Sequence, residues 1–146
     1  MTDVRGCDLP EDLHYFVEKH VWARLEPDGL VRIGMTDVAQ HLAKTIIVVR
    51  PKAVGKTVAR TQSAGTVESG KWVGPVPAPV GGEIVAVNDE AVATPSLVNA
   101  DPYGKGWLLL IRPSNWASDS AELATGEAGI ARYRAFLEAQ GISCGS

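Results

Sequence analysis

Thr66-Val67-Glu68-Ser69-Gly70-Lys71-Trp72-Val73-Gly74-Pro75 carries more structural information than any other run in this chain. A β-branched approach segment, a Gly-Lys pair and a second apolar segment read as a β-hairpin with one lysine amine at its tip. Most lysines are solvated surface charges. Lys71 differs in context: it follows Gly70 at a turn, lies between two strand-like runs, and precedes the glycine-marked strand Gly81-Gly82-Glu83-Ile84-Val85-Ala86-Val87. This is the geometry of a carrier lysine. In Pro75-Val76-Pro77-Ala78-Pro79 the prolines lack a donor N–H, so the descending limb belongs at a sheet edge or in extended form. Restricted φ angles stiffen that limb and keep the lysine projected.

The neighbouring segments extend the β pattern. Val21-Trp22-Ala23-Arg24-Leu25 and Leu30-Val31-Arg32-Ile33-Gly34 flank the turn Glu26-Pro27-Asp28-Gly29 and predict a hairpin. Thr36 is a plausible N-cap of a short helix presenting Val38, His41 and Leu42 on one face. Ile46-Ile47-Val48-Val49, ended by Arg50-Pro51, reads as a buried strand, and Leu9-Pro10-Glu11-Asp12-Leu13 as a short helical turn. Val54-Gly55-Lys56-Thr57-Val58 and Val80-Gly81-Gly82-Glu83-Ile84 are weakly alike, which suits two similar half-sheets. Gly106-Trp107-Leu108-Leu109-Leu110-Ile111-Arg112-Pro113 is a further strand. From Glu127 to Gln140, Ile130, Tyr133, Phe136 and Leu137 recur at helical spacing, with Gly141 placed for a left-handed C-cap.

These segments make a mainly β fold: a flattened β-barrel or sandwich of two sheets, with short N-terminal helical turns and a C-terminal helix. The expected organisation is an N-terminal tail over 1–12, a carrier domain over 13–117, a helical segment packed on it over 118–141 and a tail over 142–146. A chain of 146 residues suits one core, and 15 glycines and 9 prolines punctuate short apolar runs as in an all-β domain.

A net charge of −3 offers no cationic field for a phosphate backbone, so nucleic acid is not an expected partner. No signal-peptide core or membrane-length apolar run is present, which makes no membrane association and a cytoplasmic location the expectation. A monomer is expected. Cys7 and Cys144 lie near opposite ends of the chain. In a cytosolic protein they read as reduced thiols on mobile tails, with a redox pair or a thiol site beside the carrier arm as the alternative. His14, His20 and His41 share no cysteine neighbour and read as structural or surface histidines, not metal ligands. No Gly-x-Ser-x-Gly elbow, phosphate-cradling loop or zinc signature marks an enzyme.

The lysine hairpin resembles the lipoyl-lysine hairpin of the glycine cleavage system H protein family, with Glu68 three positions before Lys71 and Gly82 eleven after it. Further similar segments follow in order over roughly residues 13 to 113: His20-Val21-Trp22, Gly34-Met35-Thr36-Asp37-Val38-Ala39-Gln40, Gly82-Glu83-Ile84-Val85-Ala86-Val87-Asn88, Pro95-Ser96-Leu97-Val98-Asn99 and Asp101-Pro102-Tyr103-Gly104-Lys105-Gly106-Trp107. The resemblance implies lipoic acid in amide linkage on Lys71, with Glu68, Ser69, Gly70, Trp72 and Gly82 serving the hairpin or its recognition by a lipoate ligase or lipoyl transferase. Biotin carriers usually flank their lysine with methionines; here the neighbours are Gly70 and Trp72.

Departures from the family pattern occur at Ala43-Lys44, at Arg50 and at Trp72-Val73-Gly74-Pro75, on the surface a partner would meet. The local pattern, with Cys7 and Cys144, is similar to the H-like lipoate-binding proteins of sulfur-oxidising bacteria. This implies a swinging-arm carrier serving a heterodisulfide-reductase-like complex. The alternative is aminomethyl transfer among glycine decarboxylase, aminomethyltransferase and dihydrolipoamide dehydrogenase. In both cases the carrier is not an enzyme. Trp72 is expected to shield the arm or anchor a partner.

Overall fold

The computed structural model describes residues 2–145, built on antiparallel strands. The strands preceding the first full helix are β1 (Asp3–Val4), β2 (Cys7–Asp8), β3 (His14–Phe16), β4 (Val21–Leu25) and β5 (Val31–Met35). Then come α1 (Asp37–Ala43), β6 (Ile46–Pro51), β7 (Thr57–Val58), β8 (Ser63–Ser69), β9 (Val73–Pro77) and β10 (Gly82–Val87). The chain continues through α2 (Asp89–Ala93), α3 (Leu97–Ala100), β11 (Leu109–Pro113), α4 (Trp116–Ser120), β12 (Ala124–Thr125) and α5 (Gly126–Gln140). A seven-stranded sheet runs β12-β3-β4-β5-β11-β10-β7, and a three-stranded sheet runs β6-β8-β9.

Strand alternation divides the apolar residues between two cores. On β4, Val21 and Ala23 join Ile33, Val67, Val76, Ile84 and Ile111 in the first core, which draws its residues from both sheets. Trp22 points the other way, into a second core with Tyr15, Tyr133 and Leu137 under α5. Its indole N–H donates to the Pro102 carbonyl at 3.0 Å. Gly34, opposite Trp22 on β5, leaves room for the ring; a Cβ there would collide with it. The paired strands β4 and β5, the Thr36 cap and α5 follow the sequence pattern. Thr36 Oγ1 accepts from the Ala39 N–H, and Gly141 ends α5 at φ 67°, ψ 31°.

Several expectations are corrected. The supposed N-terminal tail folds as the β1–β2 hairpin, with Val4, Cys7 and Leu9 fully buried in the second core. Its tight turn uses Arg5 and Gly6 at positive φ. Leu9–Leu13 forms no helix; the helical turn is a 3-10 segment at Val17–Lys19. The segment 118–141 is not wholly helical, because β12 extends the main sheet by pairing with β3.

Ile46–Val49 is not buried on both faces. β6 is an edge strand with a bulge between Ile46 and Val48, so Ile47 stands 55% exposed. The two weakly alike segments do not head separate half-sheets, since Thr57 and Val58 pair directly with Glu83 and Gly82. Finally, Cys7 and Cys144 are not thiols on mobile tails: they form a disulfide that ties β2 to the chain beyond α5, across a separation of 137 residues. The Arg5 carbonyl accepts from the Cys144 N–H, closing the same junction.

Candidate functional site

β8 and β9 form the hairpin foreseen from the sequence. Register Glu68↔Val73 leaves Ser69-Gly70-Lys71-Trp72 as the turn, closed by the Ser69 N–H donating to the Trp72 carbonyl at 2.7 Å. The buried Ser69 side chain steadies the tip by accepting from the Lys71 N–H at 3.4 Å. Gly70 and Lys71 are both exposed, and neither needs a positive φ. Among the described residues Lys71 makes no ion pair. Among the described residues β9 pairs only with β8, so its prolines sit on a sheet edge where a missing N–H costs no ladder bond.

Glu68 lies on the rising limb and is engaged by Arg50 of β6, Nη1 to Oε2, at 2.5 Å. With Arg50 exposed, this pair orients the carboxylate more than it stabilises the fold, a few tenths of a kcal/mol by the usual scale. Trp72 is 40% exposed and lies across Gly74, where a Cβ would strike the indole. Gly82 is not part of the hairpin. It lies buried in the seven-stranded sheet, where a Cβ would run into the Arg112 carbonyl and the Ile111 side chain. Its requirement in the fold is steric.

Beside the tip is a cavity of about 490 Å³ that no motif or spacing in the chain announces. Val21 and Met35 of the main sheet, Ala39 and Ala43 of α1, and Val76 of β9 supply apolar walls, while Lys71 and Trp72 stand at its edge. The 3-10 segment contributes Glu18 and Lys19, followed by His20.

His20 adopts the left-handed conformation at φ 57°, and its Nδ1 meets the Tyr133 hydroxyl at 2.5 Å, with the rings stacked. Burial pushes the imidazole down to about 4, against a weaker opposing pull from Glu18, so it is neutral near pH 7. Tyr133 in turn lies 3.1 Å from Thr36 Oγ1, which joins α5, α1 and the cavity wall in one buried polar chain. Burial also raises the Tyr133 phenol well above its ordinary value.

The remaining segments quoted from the sequence are structural. Asn99 accepts from the Ile46 N–H at 2.9 Å and donates to the Lys44 carbonyl at 2.7 Å, bracing the connection out of α1. The Tyr103 hydroxyl donates to the Asp8 carbonyl at 2.6 Å and accepts from the Asp37 N–H at 2.8 Å. His14 packs edge-on against Trp116, and burial lowers its pKa. Among the described residues no cluster of three or more His, Cys, Asp or Glu could hold a metal, and no helix is long and apolar enough to cross a membrane.

This arrangement has counterparts among known proteins. The model of the glycine cleavage H-protein family matches residues 14–136. Glycine cleavage system H protein 2 of Aquifex aeolicus is 41% identical over 145 residues, covering 99% of this chain and 90% of that protein. A probable glycine cleavage system H protein 2 of Saccharolobus solfataricus is 44% identical over 141 residues, 95% of each. The crystal structure of a glycine cleavage system H protein from Mycobacterium marinum superposes with a TM-score of 0.75 at 35% identity, covering 92% of this chain and 100% of that one. On that span and identity the chain belongs to the glycine cleavage H-protein family, whose members are non-catalytic carriers holding lipoate covalently on a lysine.

Proposed function

We propose that Lys71 is the lipoylated lysine and that this chain is the mobile-arm carrier of a multi-enzyme system. The observation that carries the reading is one amine, free of any ion pair among the described residues, held at an exposed two-residue turn beside an apolar cavity. An exposed lysine is almost wholly protonated at neutral pH and does not acylate itself, so a lipoate ligase or lipoyl transferase makes the amide. The attached dithiolane supplies thiol–disulfide exchange.

The protein's own contribution is positional. The β8–β9 turn projects the attachment point, the proline-bearing edge strand stiffens it, and tethering replaces release into solution with a high effective concentration at each partner. Glu68, held by Arg50, presents its carboxylate to the attaching enzyme, the buried Ser69 side chain steadies the turn from within, and Trp72 shields the arm or anchors a partner. Intact mass tests the assignment: protein produced with lipoate and a competent ligase gains one lipoyl amide, and Lys71→Arg abolishes the gain. Unmodified Lys71, or modification persisting in the variant, overturns it.

The glycine-cleavage enzymes, namely decarboxylase, aminomethyltransferase and dihydrolipoamide dehydrogenase, are the partner set favoured by the names of the relatives. A second reading, transfer to a heterodisulfide-reductase-like complex in cytoplasmic sulfur oxidation, rests on the likeness of the run Glu68 to Pro75, together with Cys7 and Cys144, to the H-like lipoate-binding proteins. Glycine decarboxylation with the standard partners separates the readings: turnover establishes the first, and its absence with fully lipoylated protein favours the second. In both, the carrier acts as a monomer in the cytoplasm.

A further inference from the structure

The outer face of the seven-stranded sheet carries charges that the fold leaves unbalanced. Val21 and Ala23 of β4, Val31 and Ile33 of β5, and Leu109 and Ile111 of β11 belong to the first core, so strand alternation turns Arg24, Arg32 and Arg112 outward. Arg24 and Arg32 are register partners, which sets two guanidinium-bearing side chains directly opposite one another with Cβ atoms about 5 Å apart. Like charges so placed repel. Each is nonetheless fixed. Arg24 Cζ lies 5.0 Å from the centroid of the Trp22 ring, and its Nη2 donates to the Tyr103 carbonyl at 3.1 Å. Arg32 Cζ lies 4.5 Å from the Trp107 centroid, and its Nη2 sits 3.2 Å from Glu26 Oε1. Among the described residues Glu26 is the one carboxylate in an ion pair with either, while Arg112 is matched by Glu83 at 3.1 Å. Three outward arginines therefore meet two carboxylates, on a chain of net charge −3. No guanidinium nitrogen of Arg24 or Arg32 is both buried and unpartnered, so their remaining N–H groups reach water.

We infer that this face, with Arg24 and Arg32 side by side and Trp107 at their edge, docks an acidic segment of a partner protein, one carboxylate of which bridges the two guanidiniums. The planar donor fork of arginine matches a carboxylate bidentately. Stacking on the indoles holds both side chains in place before the partner arrives, so little rotamer freedom is lost on binding. Leu110, opposite Arg32 on β11, adds apolar contact beside the pair. A long polyanion would meet the repulsion of the whole chain, whereas a short acidic segment meets the local excess of positive charge. The face turns away from the first core, and so from the three-stranded sheet that carries the Lys71 turn. A partner gripping it leaves that turn free, and the docking does not depend on the assignment of Lys71.

The test titrates the full-length, nitrogen-labelled protein with an end-capped peptide Gly-Glu-Leu-Glu-Gly, its counterpart Gly-Gln-Leu-Gln-Gly, inorganic phosphate and a short oligothymidylate. The Nε–H signals of Arg24 and Arg32 and the indole N–H of Trp107 report binding. The acidic peptide should shift all three saturably, with an affinity at least about fivefold above that of the glutamine peptide. Arg24→Gln and Arg32→Gln should each weaken it at least about fivefold, and Arg24→Lys, which keeps the charge but loses the fork, at least about twofold. Arg134→Gln removes the same charge from the exposed face of α5 and should leave the affinity within about twofold. The backbone amide spectrum of each variant establishes that it is folded, and Arg24→Lys serves where Arg24→Gln is not. Affinity should fall as salt rises, because the two guanidiniums reach water. Absence of saturable shifts, equal response to the glutamine peptide, equal loss in Arg134→Gln, or tighter binding of phosphate or oligothymidylate overturns the inference.

Discussion

Opening the Cys7–Cys144 bridge should destabilise this protein more than any single surface substitution. The bond closes a loop spanning 137 residues. In the chain-entropy treatment, releasing so long a loop lowers stability by about 5 kcal/mol at 25 °C. The setting adds to the effect: Cys7 is fully buried, and the bridge holds the β1–β2 hairpin and the end of α5 against the second core with Val4, Leu9 and Leu137. Urea unfolding followed by far-UV circular dichroism, on oxidised protein, reduced protein and the Cys7→Ala/Cys144→Ala variant, measures it. With a slope of about 2 kcal/mol per molar urea, the midpoint should fall by about 2.5 M in both the reduced and the doubly substituted protein. Midpoints agreeing within about 0.3 M, or two titratable thiols in fully stable protein, would refute the reasoning. Lipoylation of Lys71 should be unaffected at equal folded fraction, because the turn that presents it belongs to the three-stranded sheet.

Two further outcomes follow from the geometry. Gly82→Ala forces a Cβ against the Arg112 carbonyl and the Ile111 side chain, so the melting temperature should drop by an amount equivalent to about 2–4 kcal/mol. Lipoylation rate per folded molecule should stay unchanged; a selective loss of lipoylation in stable protein would instead give Gly82 a recognition role. For His20, the folded value near 4 lies below the ordinary 6.5, so the unfolded chain binds the extra proton between those values and stability falls as pH drops through that window. The loss between pH 7 and pH 5 should be about 2 kcal/mol larger in the native protein than in His20→Gln, read from urea midpoints; identical pH slopes would exclude His20 as the source.

What could be read from residue order alone was local. The Gly70-Lys71 turn, the proline-stiffened edge strand, the β4–β5 hairpin, the Thr36 cap and the Gly141 end of α5 all depend on spacings of a few residues, where backbone sterics and short-range hydrogen bonds act. Strand existence was legible too, but burial on both faces of Ile46–Val49 was not, because a bulge and an edge position are properties of the sheet, not of the run. The tertiary structure alone joined Cys7 to Cys144 and His20 to Tyr133, pairs separated by 137 and 113 residues. It also moved Gly82 out of the lysine site, bound Glu68 to Arg50 and opened the cavity beside Lys71. Each of these is set by how two sheets and α5 close on one another, and contacts across such distances leave no periodic trace in the chain.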